Sequence, residues 1–173
     1  MKTTFLKFAA ATLAAVTLTI NANAANPSSS FVGVCTTRNS PNRLPVGQCT
    51  WFADIACAEA GRTLSFSRNW GRDAALWPWL VTSARACLVG PAPNSLVVFG
   101  PLNTPGGAGH VAWIESTARD GSFTVLHVNY GGAAVGYLNN VPVVRTTFRP
   151  VPGGLVQAVG GTTKLQVTAF ILL

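Results

Sequence analysis

From Cys49 to Ala60 the chain is almost continuously apolar, and the polar positions Thr50 and Asp54 share one narrow face. No proline, glycine or sustained β-branching interrupts the run, and Gly61 supplies a left-handed stop, so the pattern predicts a helix. Trp51, Phe52, Ala53, Ile55 and Ala56 leave most of its circumference apolar, which predicts packing on more than one side. Pro78 divides the next helical region into Arg72 to Trp77 and Pro78 to Cys87, with the proline tolerated in a new first turn. Trp70, Trp77, Trp79 and Leu80 then serve as core or as the wall of a groove. Beyond the Gly90-Pro91-Ala92-Pro93 break the pattern changes to short β-rich runs at Ser95–Phe99, His110–Glu115, Ser122–Tyr130 and Val141–Phe148, with a further strand at Leu165–Ile171.

The hairpin around Asp120-Gly121 is the most informative of these. Turn centres near residues 119 and 120 place His110 opposite Asn129 and Ala112 opposite His127. The pleat then puts His110, His127 and Asn129 on one sheet face. A slip of one residue in the pairing would divide them between two faces. Helices first and antiparallel strands second predict an α+β domain with N-terminal helices packed on the sheet.

The first residues change the compartment. Lys2 and Lys7, an apolar run from Phe8 to Ile20 and the small-x-small step Ala22-Asn23-Ala24 read as a signal peptide over 1–24, too short in its apolar part to span a bilayer. A mature chain of about 149 residues is enough for one domain with a core. The expected division is an irregular lead-in over 25–43, a catalytic-type domain over 44–150 and an extension over 151–173. The formal charge is +7, and +5 once the two leader lysines are removed. That surplus favours anionic polymers or surfaces. Nucleic acid is not expected as a partner, because the arginines are scattered between Arg38 and Arg149 with no recognisable nucleic-acid motif. Stable membrane insertion is not expected either.

Four cysteines in an exported chain ordinarily form two bridges. That reading competes with a free Cys49. Cys57 with Cys87 is the preferred bridge, since it would pin the two helical regions together, and a pairing of Cys35 with Cys57 or Cys49 stays open. The spacing fits neither a Cys-x-x-Cys redox pair nor a zinc ribbon, and two histidines with scattered carboxylates make no zinc set, so neither metal nor cofactor is expected.

Cysteine catalysis needs a nucleophile, a base in hydrogen-bond reach and a group that fixes the imidazole tautomer. Cys49 in a first helical turn would meet free N–H groups and a positive dipole end, which favour the thiolate. His110 follows a glycine-rich loop, and Asn129 shares its face. An oxyanion has donors in the Cys49 backbone N–H and the Gln48 side chain.

The wider pattern resembles the CHAP family of cysteine, histidine-dependent amidohydrolases and peptidases, over approximately residues 44 to 150. Gly47-Gln48-Cys49-Thr50-Trp51-Phe52-Ala53 is similar to its nucleophile motif and Gly109-His110-Val111-Ala112 to its histidine motif. Asn69-Trp70-Gly71 with Ala74, and Val125-Leu126-His127-Val128-Asn129-Tyr130, are similar to two others. The resemblance implies a papain-like fold and cleavage of peptidoglycan amide bonds, either between N-acetylmuramic acid and L-alanine or within the stem and cross-bridge. It implies Cys49 as nucleophile and His110 as base and later acid. Two departures stand out: many members carry Glu at the place of His127, and many carry Gly-Asp where this chain has Asn94-Ser95. A neutral His127 can orient His110 only by hydrogen bonding, so Asn129 is the first choice for that task and His127 the second. The competing readings are a wall-binding or structural module with Cys49 in a disulfide, and a general papain-like protease.

Overall fold

The computed structural model describes residues 35–67, 73–88, 90–101 and 107–173. The leader, Phe31 to Val34, Asn69-Trp70-Gly71 and the Pro105-Gly106 step lie outside the described residues. Helix α1 runs Cys49–Glu59. A 3-10 turn at Ala74–Leu76 leads into the four-residue helix α2, Trp77–Leu80, with its proline in the first turn. The strands are β1 Cys35–Thr36, β2 Arg85–Cys87, β3 Ser95–Phe99, β4 His110–Thr117, β5 Phe123–His127, β6 Ala134–Leu138, β7 Val141–Val151, β8 Leu155–Ala158 and β9 Lys164–Leu172.

Pairing runs β7-β5-β4-β3-β9, and β8 joins β9 back to β7, so six strands close into a barrel. β1 and β6 extend the sheet beyond β7, and β2 pairs with β9. The period-two alternation of each strand generates two cores. Val97, Phe99, Ala112, Ile114, Phe123, Val125, Phe148, Val156, Leu165 and Phe170 form one cluster to which all six ring strands contribute, and this fills the barrel. The intervening residues Leu96, Val98, Val111, Trp113, Leu126 and Val128 face outward against Trp51, Phe52, Ile55 and Ala56 of α1. Every residue of α1 from Cys49 to Cys57 is buried, which accounts for its weak amphipathic pattern. The helix ends as predicted. Gly61, at φ +72°, lets the Gly61 and Arg62 N–H groups donate to Ala58 and Cys57 carbonyls at 3.0 and 2.8 Å.

The α+β, papain-like architecture expected from the sequence is therefore corrected to a mostly β barrel carrying two short helices among the described residues. Two segments cause the difference. Arg85–Cys87, expected in a second helix, is instead a strand paired with Leu172–Phe170. β-branched Val81 and Thr82 already turn the chain extended, and Thr82 N–H donates to the Ser65 carbonyl at 2.8 Å. Residues after 150, set apart as an extension, supply β8 and β9, with Gly153-Gly154 and Gly160 in the turns between paired strands.

The Cys57–Cys87 bridge is likewise not formed. Cys57 is a free thiol, fully buried in the helix-facing core, whereas Cys87 belongs to the short outer strand β2. Burial first, and the neighbouring Asp54 charge second, push the Cys57 thiol well above the ordinary cysteine range.

Asp54 explains how the lead-in is held. It is 1% exposed and accepts from the Ser40 hydroxyl, from Asn42 N–H at 2.9 Å and from Asn42 Nδ2 at 2.7 Å. Asn42 Nδ2 also donates to the Leu64 carbonyl at 3.0 Å, and Ser40 Oγ accepts from Leu44 N–H at 3.1 Å. One carboxylate thus ties both flanks to α1. Asp54→Ala would orphan these donors and is expected to cost roughly 3 kcal/mol. Urea unfolding followed by far-UV circular dichroism checks this; an unchanged midpoint would show that the network is dispensable.

Candidate active site

The site forms where α1 starts against the beginning of β4. Gln48 is the N-cap, extended at φ −87° and ψ 151°, so Cys49 is the first helical residue and its N–H has no partner inside the helix. Cys49 is a free cysteine. Its sulfur lies by the backbone N–H groups of Val111, Thr50 and Cys49 itself, which lower its pKa, but burial outweighs them and the thiol sits above the ordinary cysteine value. The thiolate expected from the helix end is thus corrected to a resting thiol: at 8% exposure, desolvation exceeds what first-turn N–H groups return.

His110 reaches the site because the loop before it is squeezed. Ala75 N–H donates to the Ala108 carbonyl at 2.9 Å, which draws the loop against the 3-10 turn. At Gly109, φ +72°, a Cβ would stand 2.7 Å from both Ala75 N and the Phe99 carbonyl oxygen, so glycine is required there. In β4, His110 has the parity of Ala112 and Ile114, and in β5 His127 has that of Phe123 and Val125. Both rings therefore cap the barrel interior, with His110 stacked on Phe99 at a centroid distance of 5.9 Å.

His110 Nε2 is 2.8 Å from His127 Nδ1, and His127 Nε2 is 2.9 Å from Thr146 Oγ1. Tyr130 packs on both rings, at 5.0 Å from His110 and 4.6 Å from His127. This bond leaves Nδ1 as the remaining ring nitrogen of His110. Burial lowers the His110 pKa to about 4. Burial first, then the His110 charge, puts His127 well below its ordinary value. Both rings are neutral near pH 7.

The hairpin register matches the sequence reading near the site, with Trp113 opposite Leu126 and Ile114 opposite Val125, before a bulge on the turn side of Ile114. Asn129 nevertheless does not meet His110. β5 ends at His127, and Asn129 turns to φ +57°, which breaks the alternation that would have carried its side chain onto that face. Its Nδ2 instead donates to Gln48 Oε1 at 3.2 Å, leaving the Gln48 amide N–H groups free to point elsewhere. The ring partner of His110 is His127, and Asn129 holds Gln48. Sequence reasoning missed Thr146, which β7 brings beside His127, and missed that Tyr130 packs on the histidine pair. Trp77 is fully buried, while Trp79 is 72% exposed.

A groove of about 600 Å³ shares Tyr130 and Thr146 with the histidine pair and is lined further by Gly131, Gly132, Thr147 and residues 158–161. Arg145, at its edge, is held by a bidentate ion pair with Glu115 at 2.7 and 2.8 Å. Among the described residues no cluster of three or more His, Cys, Asp or Glu side chains could hold a metal ion. Among the described residues no helix is long and apolar enough to cross a membrane.

The buried histidines make stability pH-dependent. The unfolded chain protonates His110 near pH 6.5, the folded chain only near 4, so the unfolded state binds more protons between these values. This contribution is complete above about pH 6.5 and is lost as pH falls towards 4, on the order of 3 kcal/mol for His110 alone. Urea midpoints should fall over that window, and His110→Gln should flatten the fall. Equal slopes in both proteins would contradict the buried neutral ring.

Residues 39–129 match the family profile described as CHAP domain. The chain is 33% identical over 94 residues to "Probable autolysin SsaALP" of Staphylococcus aureus (strain NCTC 8325 / PS 47), covering 53% of this chain and 32% of that protein. It is 33% identical over 111 residues to "Staphylococcal secretory antigen SsaA" of Staphylococcus epidermidis, covering 62% of this chain and 39% of that protein. The chain thus spans about a third of the length of these relatives. The crystal structure of Ly7917 superposes with a TM-score of 0.52 at 19% identity, covering 85% of this chain and 59% of that one, a likeness of fold.

Proposed function

This chain belongs to the CHAP family of cysteine, histidine-dependent amidohydrolases and peptidases, and on that premise we propose that it is an exported peptidoglycan hydrolase that cleaves amide bonds through Cys49. The observation that carries the reading is the free Cys49 thiol at the start of α1, beside the N–H of Val111, the residue that follows His110 in β4, while His110 Nε2 is held by His127. The similarity to an autolysin and to a secretory antigen supports a wall substrate and a location outside the cytoplasm. A leader over 1–24 is the proposed route of export. The surplus positive charge favours encounter with an anionic wall.

The mechanism starts from a neutral pair. As sulfur attacks the scissile carbonyl carbon, His110 Nδ1 takes the thiol proton, and the tetrahedral oxygen gains donors from the Cys49 backbone N–H and the Gln48 amide. Collapse breaks the C–N bond, His110 returns its proton to the departing amine, and a thioester remains. Water, deprotonated by His110, attacks the thioester; the carboxylic acid product leaves and the thiol is restored. His127 accepts from His110 Nε2–H throughout, and so stabilises the imidazolium without carrying charge.

Mass analysis of purified muropeptides incubated with the protein under reducing conditions tests this. Amino-sugar fragments stripped of their peptide would identify an amidase, and opened stems or cross-links an endopeptidase. Unchanged muropeptides would reject the hydrolase reading. A non-catalytic module with Cys49 in a bridge gains no support from a free Cys49.

A further inference from the structure

The hydrogen-bond chain does not stop at the histidine pair. We propose that Thr146 is a positioning residue of this site: its hydroxyl fixes the tautomer of His127, and through it that of His110, from the wall of the neighbouring groove. The inference rests on the hydrolase reading for its kinetic consequence, but its structural claim is independent of it.

Two neutral imidazoles and one hydroxyl in series admit two proton arrangements. In the first, His110 Nε2–H donates to His127 Nδ1 and His127 Nε2–H donates to Thr146 Oγ1, at the 2.8 and 2.9 Å separations observed. His110 Nδ1 then carries no proton and can receive one from Cys49. In the second, the Thr146 hydroxyl donates to His127 Nε2, His127 Nδ1–H donates to His110 Nε2, and the His110 proton moves to Nδ1, where it blocks the base. The direction of one hydroxyl therefore separates an active from an inactive base.

Two features select the first arrangement. Thr146 also lines the groove, so its own proton can be given to water or to a carbonyl or hydroxyl of a bound ligand while its lone pair accepts from His127. The opposite orientation would turn that proton inward and leave only acceptor capacity facing the groove. Among the described residues, moreover, Thr146 Oγ1 has His127 as its hydrogen-bond partner, so no other protein group competes for the hydroxyl. With both rings buried and an apolar barrel below them, His127 Nε2–H has Thr146 Oγ1 as its hydrogen-bond partner among the described residues, and removing that oxygen strands the donor.

The test uses protein with 15N-labelled histidine and long-range 15N–1H correlation spectra near pH 7, with kinetics on purified peptidoglycan. Wild type should show both His110 and His127 protonated at Nε2. Thr146→Val should move population to the Nδ1–H forms and lower kcat by about ten- to a hundred-fold with KM little changed, and Thr146→Ser should restore both. Thr146→Ala should reproduce the spectral change if valine disturbs the barrel. A wild-type His110 protonated at Nδ1, or spectra and kcat that ignore loss of the hydroxyl, would overturn the proposal. A tautomer shift in the variants with no hydrolysis by wild type would support the linkage while rejecting the hydrolase reading.

Discussion

Cys49→Ala is expected to abolish peptidoglycan hydrolysis, with a loss on the order of 10⁴-fold or more, in a protein that remains folded. The substitution removes a single sulfur atom at the start of a helix whose hold on the barrel comes from Trp51, Phe52, Ile55 and Ala56. Among the described residues the other free thiol cannot replace it: Cys57 is sealed in the helix-facing core and its thiol is pushed well above the cysteine range. His110→Ala should fall as far, because a thiol above its ordinary pKa needs a base to ionise during attack. The two losses should not add. If the double variant were slower than either single one by the product of both effects, the two residues would not act as one unit. Appreciable lysis by folded Cys49→Ala would remove the nucleophile from the mechanism altogether.

The second large effect concerns His127, and it reverses the order of importance that the sequence favours. His127→Phe keeps a flat ring against Tyr130 but removes the acceptor for His110 Nε2–H; kcat is expected to fall roughly 10² to 10⁴-fold. Asn129→Ala loses only its hold on Gln48 and should cost about tenfold. Steady-state kinetics on both variants, with thermal melts as a fold control, decide the matter: a deeper loss for Asn129→Ala would return the orienting role to the amide. The same neutral histidine pair sets the acid side of the wild-type profile. Since His110 protonates at about 4, kcat/KM should hold from neutral pH down to that region rather than fail near 6.5. A limb near 6.5 would mean that the ring is solvated in the working enzyme.

What the sequence could reveal followed from local pattern. The helix from Cys49, its glycine stop and the hairpin register around Asp120-Gly121 are each encoded within a few residues, and each is found. The histidine pair follows from that register, since strand parity alone carries His110 and His127 to one face. Asn129 departs because a left-handed backbone angle just past a strand end is invisible to an alternation rule. Barrel closure was hidden for a different reason: β9 pairs with β3, far away in sequence, and no local pattern announces that pairing. β6 carries Gly136 within a five-residue strand, and Arg85–Cys87 has its strand partner in β9, about half the chain away in sequence. Burial likewise decides the ionisation of Cys49, and burial belongs to the assembled protein rather than to the helix end.

One strand, β4, faces two interiors at once. A deep mutational scan along residues 110 to 114 should consequently yield a comb: changes at Val111 and Trp113 would register as lost abundance through a loosened helix seat. Changes at Ala112 and Ile114, equally buried, would also lower abundance, and the mildest of them would travel along the barrel filling to the imidazole above and deplete lysis in molecules that still accumulate. Such a two-tooth signature would allow growth-based selections to separate variants that fail to fold from variants that fold and cannot cut.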